Sequence, residues 1–182
     1  MTGISYEKFF VLDVESVGLF GEGFAAGWVV IKRSGAILSY GLLSCDPAMC
    51  EGSEEGRKWV AENVPHLSGK VNSPVELRAL VWDAWKKSKA DGAVMASECP
   101  WPVEARFLLQ AAQENQGAND LQAGPYPLLD ISSMLVAIGE DPLAPQPRLE
   151  SELPPHDPLA DATQSARILA QILRKQDEKR LI

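Results

Sequence analysis

Residues 9–20 read FFVLDVESVGLF. Phe9 to Leu12 are apolar enough for a buried strand, yet the run ends by placing two acids, Asp13 and Glu15, at alternate positions. Side chains alternate across a strand, so both acids project to one face with α-carbons about 6–7 Å apart. Ionised, partly buried and without a partner, each would carry the cost of desolvation and of repulsion by the other. Something positive is needed between them. The pair by itself does not say what: Glu15 lying past the strand end in water, or an arginine beside one acid, answers the need as well.

Outward from this strand, Phe9 to Val14, two more β segments follow, Gly27 to Lys32 and Ala36 to Leu43. The last two are joined by Arg33-Ser34-Gly35, whose Ser-Gly pair signals a hairpin, so the chain opens as a three-stranded antiparallel meander. Helices are expected over Glu54 to Asn63 and Val75 to about Lys87, where Leu77, Leu80, Val81, Ala84 and Trp85 recur at helical spacing. Ala93 to Ala96 reads as a fourth strand. Pro102 suits the first residue of a helix carrying Val103, Phe107, Leu108 and Ala111. Tyr126 to Ile131 is the fifth strand, with a short helix over Ser133 to Ile138. Six prolines between Pro142 and Pro158 exclude a helix or interior strand there and leave an ordered loop or a mobile flap. Asp157-Pro158 is an N-cap and first helical residue, after which Ala162, Ala166, Leu169 and Leu173 keep the period. Arg174, Lys175, Lys179 and Arg180 suit the negative end of that last helix's dipole. Strands first and helices interleaved later specify an α/β mixed sheet.

The 182 residues carry no repeat or composition break and are read as one domain, 1–182. Apolar residues at 46% and charged residues at 23% place the chain far from the disordered regime. No apolar stretch is long enough to span a bilayer, and Met1 to Lys8 lacks a basic segment followed by a hydrophobic one, so a cytoplasmic protein that does not engage membranes is expected. Cys45, Cys50 and Cys99 have no zinc-ligand spacing and are read as reduced thiols. A net charge of −8 argues against a protein that coats nucleic acid with a broad basic surface. It leaves room for an enzyme that meets phosphate through bound cations.

Two further groups of residues stand beside Asp13 and Glu15. HDPLADATQSARIL places His156 just ahead of the last helix and Asp161 inside its first turn. CPWPVEARFLL places Glu104 in the first turn of a helix whose other face, Phe107 and Leu108, is apolar. Each group alone is also explained without a site, since acids favour helix amino termini and His156 can be an ordinary loop residue.

Together, the three groups resemble the DEDDh 3'-5' exonucleases, which include oligoribonuclease, ribonuclease T and the proofreading subunit of bacterial DNA polymerase III. The resemblance runs from about Phe9 to Leu173. The family's strand-D-x-E-[ST]-x-G-L motif is matched by Asp13-Val14-Glu15-Ser16-Val17-Gly18-Leu19, and its H-x4-D-A motif by His156 to Asp161 and Ala162. The middle motif departs: Glu104 stands three residues before Phe107-Leu108 where the family has aspartate, and Ser97 is nearest the place of its upstream asparagine. Glu98 is the alternative ligand.

What the resemblance implies is a ribonuclease H-like mixed sheet with helices on both faces, and a metal-dependent 3'-5' exonuclease releasing nucleoside 5'-monophosphates from a single-stranded or short RNA or DNA 3' end. It further implies two Mg2+ or Mn2+ ions held by Asp13, Glu15, Glu104 and Asp161, with His156 as general base on a proline-rich active-site loop, residues 142–158. Ser16, Val17, Gly18 and Leu19 would hold the terminal nucleotide, Leu19 as a wedge against its base. Family members are often homodimers, and five tryptophans could supply an interface, although Trp59, Trp82 and Trp85 suit the helical core equally. Two other readings stay open: a catalytically weak module of this fold that binds a nucleic-acid end or a protein, and a hydrolase of another phosphodiester.

Overall fold

The computed structural model describes residues 6–115 and 124–180. Strands β1 (Lys8–Ser16), β2 (Gly23–Lys32) and β3 (Ile37–Ser44) form the expected antiparallel meander. Helices α1 (Glu54–Asn63) and α2 (Pro74–Ala90) lead to β4 (Ala93–Ser97), which returns parallel to β1. After α3 (Val103–Glu114), β5 (Leu128–Asp130) joins parallel to β4, followed by α4 (Ile131–Ile138) and α5 (Pro158–Arg180). The sheet order is β3-β2-β1-β4-β5, so β1 is its central strand.

Alternation on β1 sorts the core into two layers. Phe10, Leu12 and Val14 pack with Met95, Trp82, Trp85 and Phe107 beneath α2 and α3. Phe9 and Val11 pack with Val29, Ile31 and Ala96 against Ala162, Ala166, Leu169 and Leu173 of α5. Burying side chains of this size stabilises each by roughly 1.5–3 kcal/mol, and both faces of β1 and β4 are covered, as parallel pairing requires. Asp13 and Glu15 continue the Phe9-Val11 series and therefore face α5.

Several boundaries differ from the sequence reading. β1 runs through Ser16, with a register shift between Glu15 and Ser16, so Glu15 lies on the strand and not beyond it. β2 begins at Gly23 instead of Gly27. Val103 begins α3, with Pro102 in the preceding capping position. Pro127 has no amide to give β4, so β5 starts at Leu128, and Ile131 already belongs to α4, capped by Asp130.

The proline-rich segment is an ordered loop with one 3-10 turn, Glu150–Glu152. It is fastened along α5: Arg167 donates to both Glu152 carboxylate oxygens at 2.6 and 2.9 Å and to the Pro147 carbonyl at 2.8 Å, while Gln164 donates to the Gln146 carbonyl at 3.2 Å. Prolines forbid a helix here without forbidding order. Trp82 and Trp85 are core residues, but Trp59 is 40% exposed. Cys45 and Cys50 are buried and Cys99 is exposed, all three as thiols. Among the described residues no helix is long and apolar enough to cross a membrane. The side chains of Lys179 and Arg180, expected at the basic end of α5, lie outside the described residues.

Candidate active site

Asp13 and Glu15 stand at the carboxyl end of the central strand, where the ladder with β4 has ended at Val11–Ala96. The head of α5 comes down directly on this place. Asp13 pairs across β2 with Gly27, and a Cβ on Gly27 would lie 2.2 Å from the Pro158 and Leu159 backbone. Only glycine allows that approach. Asp157 caps the helix by accepting from the Leu159 and Ala160 amides at 2.9 and 3.3 Å. One turn on, Asp161 faces the strand acids.

His156 precedes the cap with φ +63°, a left-handed conformation that costs a non-glycine residue about 1–3 kcal/mol. Its amide donates to Asp161 Oδ2 at 3.1 Å, which offsets part of that cost. The turn aims the imidazole into the site: Nδ1 lies 3.5 Å from Glu15 Oε1, and the ring meets Trp59 edge-on at 4.9 Å between centroids. Ligand atoms of Glu15, His156 and Asp161 all lie within 4.8 Å of one another.

Glu104 enters from the opposite side of the sheet. It is buried, in the first turn of α3, and its Oε1 accepts the Val14 amide at 3.2 Å. Glu98, just past β4, shares the Asp13 side and accepts from Ser165 of α5 at 3.0 Å. Ser97, nearest the family's asparagine, is buried, and its hydroxyl has no partner among the described residues.

The four carboxylates singled out from the sequence therefore come together, and Glu98 stands beside them. Burial, then Glu104, Asp161, Glu15 and Glu98, push the Asp13 carboxyl well above the usual carboxylate range. Burial, then Asp161 and Glu104, push Glu15 up to about 8. Burial pushes Glu104 up to about 7 against its backbone hydrogen bonds, which act downward. An arginine partner, the alternative raised for Asp13 and Glu15, is absent from both among the described residues. Asp161 has one: Arg148 Nη1 donates to its Oδ1 at 2.5 Å.

The loop after β1 closes the other wall. Gly18 has φ +80°, and Gly21 packs so tightly under the Val17 carbonyl that a Cβ would sit 1.9 Å from it. Val17 is buried, and its amide donates to the Glu22 carbonyl at 3.0 Å; the Gly18 amide donates to Ser16 at 2.9 Å. Those two amides are engaged within the loop, and the Val17 side chain is core. Leu19 and Phe20 are exposed at 61% and 73%. A cleft of about 370 Å³ runs between Glu15, Ser16, Gly18 and Leu19 on one side and Trp59 and Val103 on the other.

As a donor set this is carboxylate oxygen with one imidazole, the ligand chemistry of hard divalent cations. Carboxyls pushed upward by burial, and in Asp13 and Glu15 also by neighbouring acids, are what added positive charge relieves. The residues present fit a divalent metal. Two participants were not found from sequence: Arg148, whose signal was that it is the sole arginine or lysine between Pro142 and Pro158, and Trp59, whose exposure no pattern distinguished from the core tryptophans.

No protein-family model matches this chain, and no curated protein does. Solved structures do. The chain is similar to a moderately thermophilic exonuclease I from Methylocaldum szegediense, with 14% identity and TM-score 0.64 over 94% of this chain and 41% of that one. It is similar to the zinc-bound E. coli exonuclease I complex with single-stranded DNA, with 12% identity and TM-score 0.62 over 97% and 42%. An exonuclease I without ligand aligns at 11% identity and TM-score 0.59 over 98% and 47%. The chain thus spans less than half the length of these structures. With its order β3-β2-β1-β4-β5 and helices on both faces, it has the ribonuclease H-like α/β fold of the exonuclease I structures.

Proposed function

We propose that this chain is a 3'-5' exonuclease domain that hydrolyses the terminal phosphodiester of single-stranded nucleic acid with divalent metal ions, Mg2+ or Mn2+. The observation that carries this reading is the meeting of Asp13, Glu15, Glu104 and Asp161 from three separate elements, with three of the four lacking a guanidinium partner among the described residues. Uncompensated buried carboxylates are costly, and a protein retains them where a cation completes the site.

Bound at these carboxylates, divalent cations supply the positive charge that acidifies water and screens the phosphate. Asp13, central among the acids, would hold these cations together with Glu15, Glu104 and Asp161. His156 is the general base. With Nδ1 turned to Glu15, Nε2 is left to take a proton from the attacking water, and Trp59 holds the ring edge-on. Water attacks the terminal phosphorus, the bond from phosphorus to the 3' oxygen breaks, and that oxygen leaves protonated, freeing a nucleoside 5'-monophosphate. Leu19 and Phe20, exposed on the tight loop, offer the last base an apolar edge, and Ser16, Gly18 and Leu19 line the cleft that would hold its sugar. The single-stranded DNA in one similar exonuclease I structure supports a single-stranded substrate here.

The Arg148–Asp161 pair favours a second reading, a module of the same fold that binds a nucleic-acid end without cleaving it. End-labelled single-stranded RNA and DNA incubated with Mn2+ separate the two. The enzyme produces a ladder shortening from the 3' end, abolished by EDTA and by Asp13→Ala. Intact oligonucleotide under Mg2+ and Mn2+ alike would falsify the exonuclease reading.

A further inference from the structure

We propose that Arg148 is a built-in stand-in cation: it occupies Asp161 until a divalent metal displaces it, and the released guanidinium then engages the terminal phosphate of the substrate. This rests on the reading of the site as a metal-dependent nuclease. The contacts are specific. Among the described residues Arg148 Nη1 donates to Asp161 Oδ1 at 2.5 Å and to the Glu152 carbonyl at 2.9 Å. Its Nε and Nη2 have no partner among the described residues, and the side chain keeps 26% exposure. A guanidinium presents five donors in a planar fork, so most of the Arg148 donors are left unused by the described residues.

The backbone on either side of Arg148 does not share that freedom. The Gln146 and Pro147 carbonyls are held by α5, the Leu149 amide donates to Glu152 at 2.9 Å, and Glu152 is itself buried under Arg167. What can move is therefore the side chain, pivoting on a fixed loop, between an aspartate and whatever anion enters beside it. The chemistry of exchange is balanced: a metal arriving at Asp161 evicts one positive charge, and a phosphodiester arriving with it offers that charge a bidentate acceptor. Bound metal and Arg148 compete for Asp161, whereas bound phosphate and Arg148 cooperate.

Those opposite signs make the test. Mn2+ binding to the 182-residue chain is followed by titration calorimetry or the electron spin resonance of free Mn2+, and adenosine 5'-monophosphate binding is measured on the Mn2+-saturated protein. Arg148→Ala is expected to bind Mn2+ about tenfold more tightly than wild type and the nucleotide about tenfold more weakly. Arg148→Gln, which retains a donor for the Glu152 carbonyl without the charge, carries the same expectation should the alanine variant fail to fold. A purely structural role for Arg148 would weaken both ligands together. Unchanged or weaker Mn2+ binding in the folded variant, with wild type still binding Mn2+ and Asp13→Asn abolishing it, overturns the stand-in role and leaves the nuclease reading intact. If neither wild type nor the Arg148 variants take up Mn2+, the nuclease reading fails and this proposal with it.

Discussion

Two clusters of carboxylates, each with buried members, lie within one molecule and are built on opposite plans. Behind the loop that follows β1, Arg78 is 2% exposed and reaches Glu22 at 2.6 Å and both oxygens of Glu114 at 2.6 and 2.5 Å. The second oxygen of Glu22 accepts the Glu51 amide at 2.9 Å. At the end of β1, Asp13, Glu15 and Glu104 are surrounded by other acids, and each carboxyl is pushed upward. One cluster is closed by a guanidinium and the other is open to incoming charge. The difference teaches that burial of acids is not itself a sign of function; burial without a matching cation is.

The comparison can be broken most forcefully at His156. Under the proposed function, His156→Ala lowers turnover about 10²–10⁴-fold while Mn2+ binding survives, as measured by single-turnover cleavage of a labelled oligonucleotide. Normal turnover would remove the residue from its role. The closed cluster answers to a different assay. Arg78→Ala leaves the buried Glu22 carboxylate without its cation and is expected to cost about 3–5 kcal/mol in urea unfolding, while Asp13→Asn, which removes charge from the open cluster, leaves the metal-free protein at pH 8 as stable as wild type or more so. Equal losses in both variants would erase the distinction drawn here.

A smaller effect is expected at Gly27, where a methyl group would collide with the head of α5. Gly27→Ala should cost about 1–3 kcal/mol and weaken Mn2+ binding together, because Asp161 is lifted away from Asp13. Loss of stability with metal affinity untouched would show that α5 can shift without the site. The smallest effect is a slope with pH. Glu15 and Glu104 titrate near 8 and 7 in the fold, against about 4.3 in an unfolded chain, so the folded state holds more protons between those values. Stability of the metal-free protein therefore falls as pH rises from about 4.3 through 8, and saturating Mg2+ should flatten the decline. Melting temperatures in EDTA that stay level or rise over this window would contradict the open cluster.

Much of the fold was legible because its signals are local. Phe9 to Leu12 followed by alternating acids marked the central strand, the Ser-Gly turn marked the hairpin, and Asp157-Pro158 marked the head of α5. The positions of Asp13, Glu15, Glu104 and Asp161 came from motif spacing, and the structure brings the four side chains together. What sequence did not carry depends on packing across the fold. That β1 extends through Glu15 follows from pairing with β2, which starts four residues earlier than its composition suggests. Arg148 reaches Asp161 only because Arg167 and Gln164 fasten its loop to α5, contacts 15 to 20 residues apart in the chain. The exposure of Trp59 beside His156 has the same origin: helix periodicity describes one helix and says nothing of which neighbour arrives against it.

The place of β1 in the middle of the sheet has a consequence for how this protein opens. Its amides are hydrogen-bonded to β2 on one side and β4 on the other, while β3 and β5 form the edges, so hydrogen–deuterium exchange should reach Val11 and Leu12 last. Local fraying at the rim would leave the acids in place, and only global unfolding would scatter them. Any ion captured at that end of the strand is consequently felt by the entire domain, as a rise in the temperature at which the whole of it comes apart.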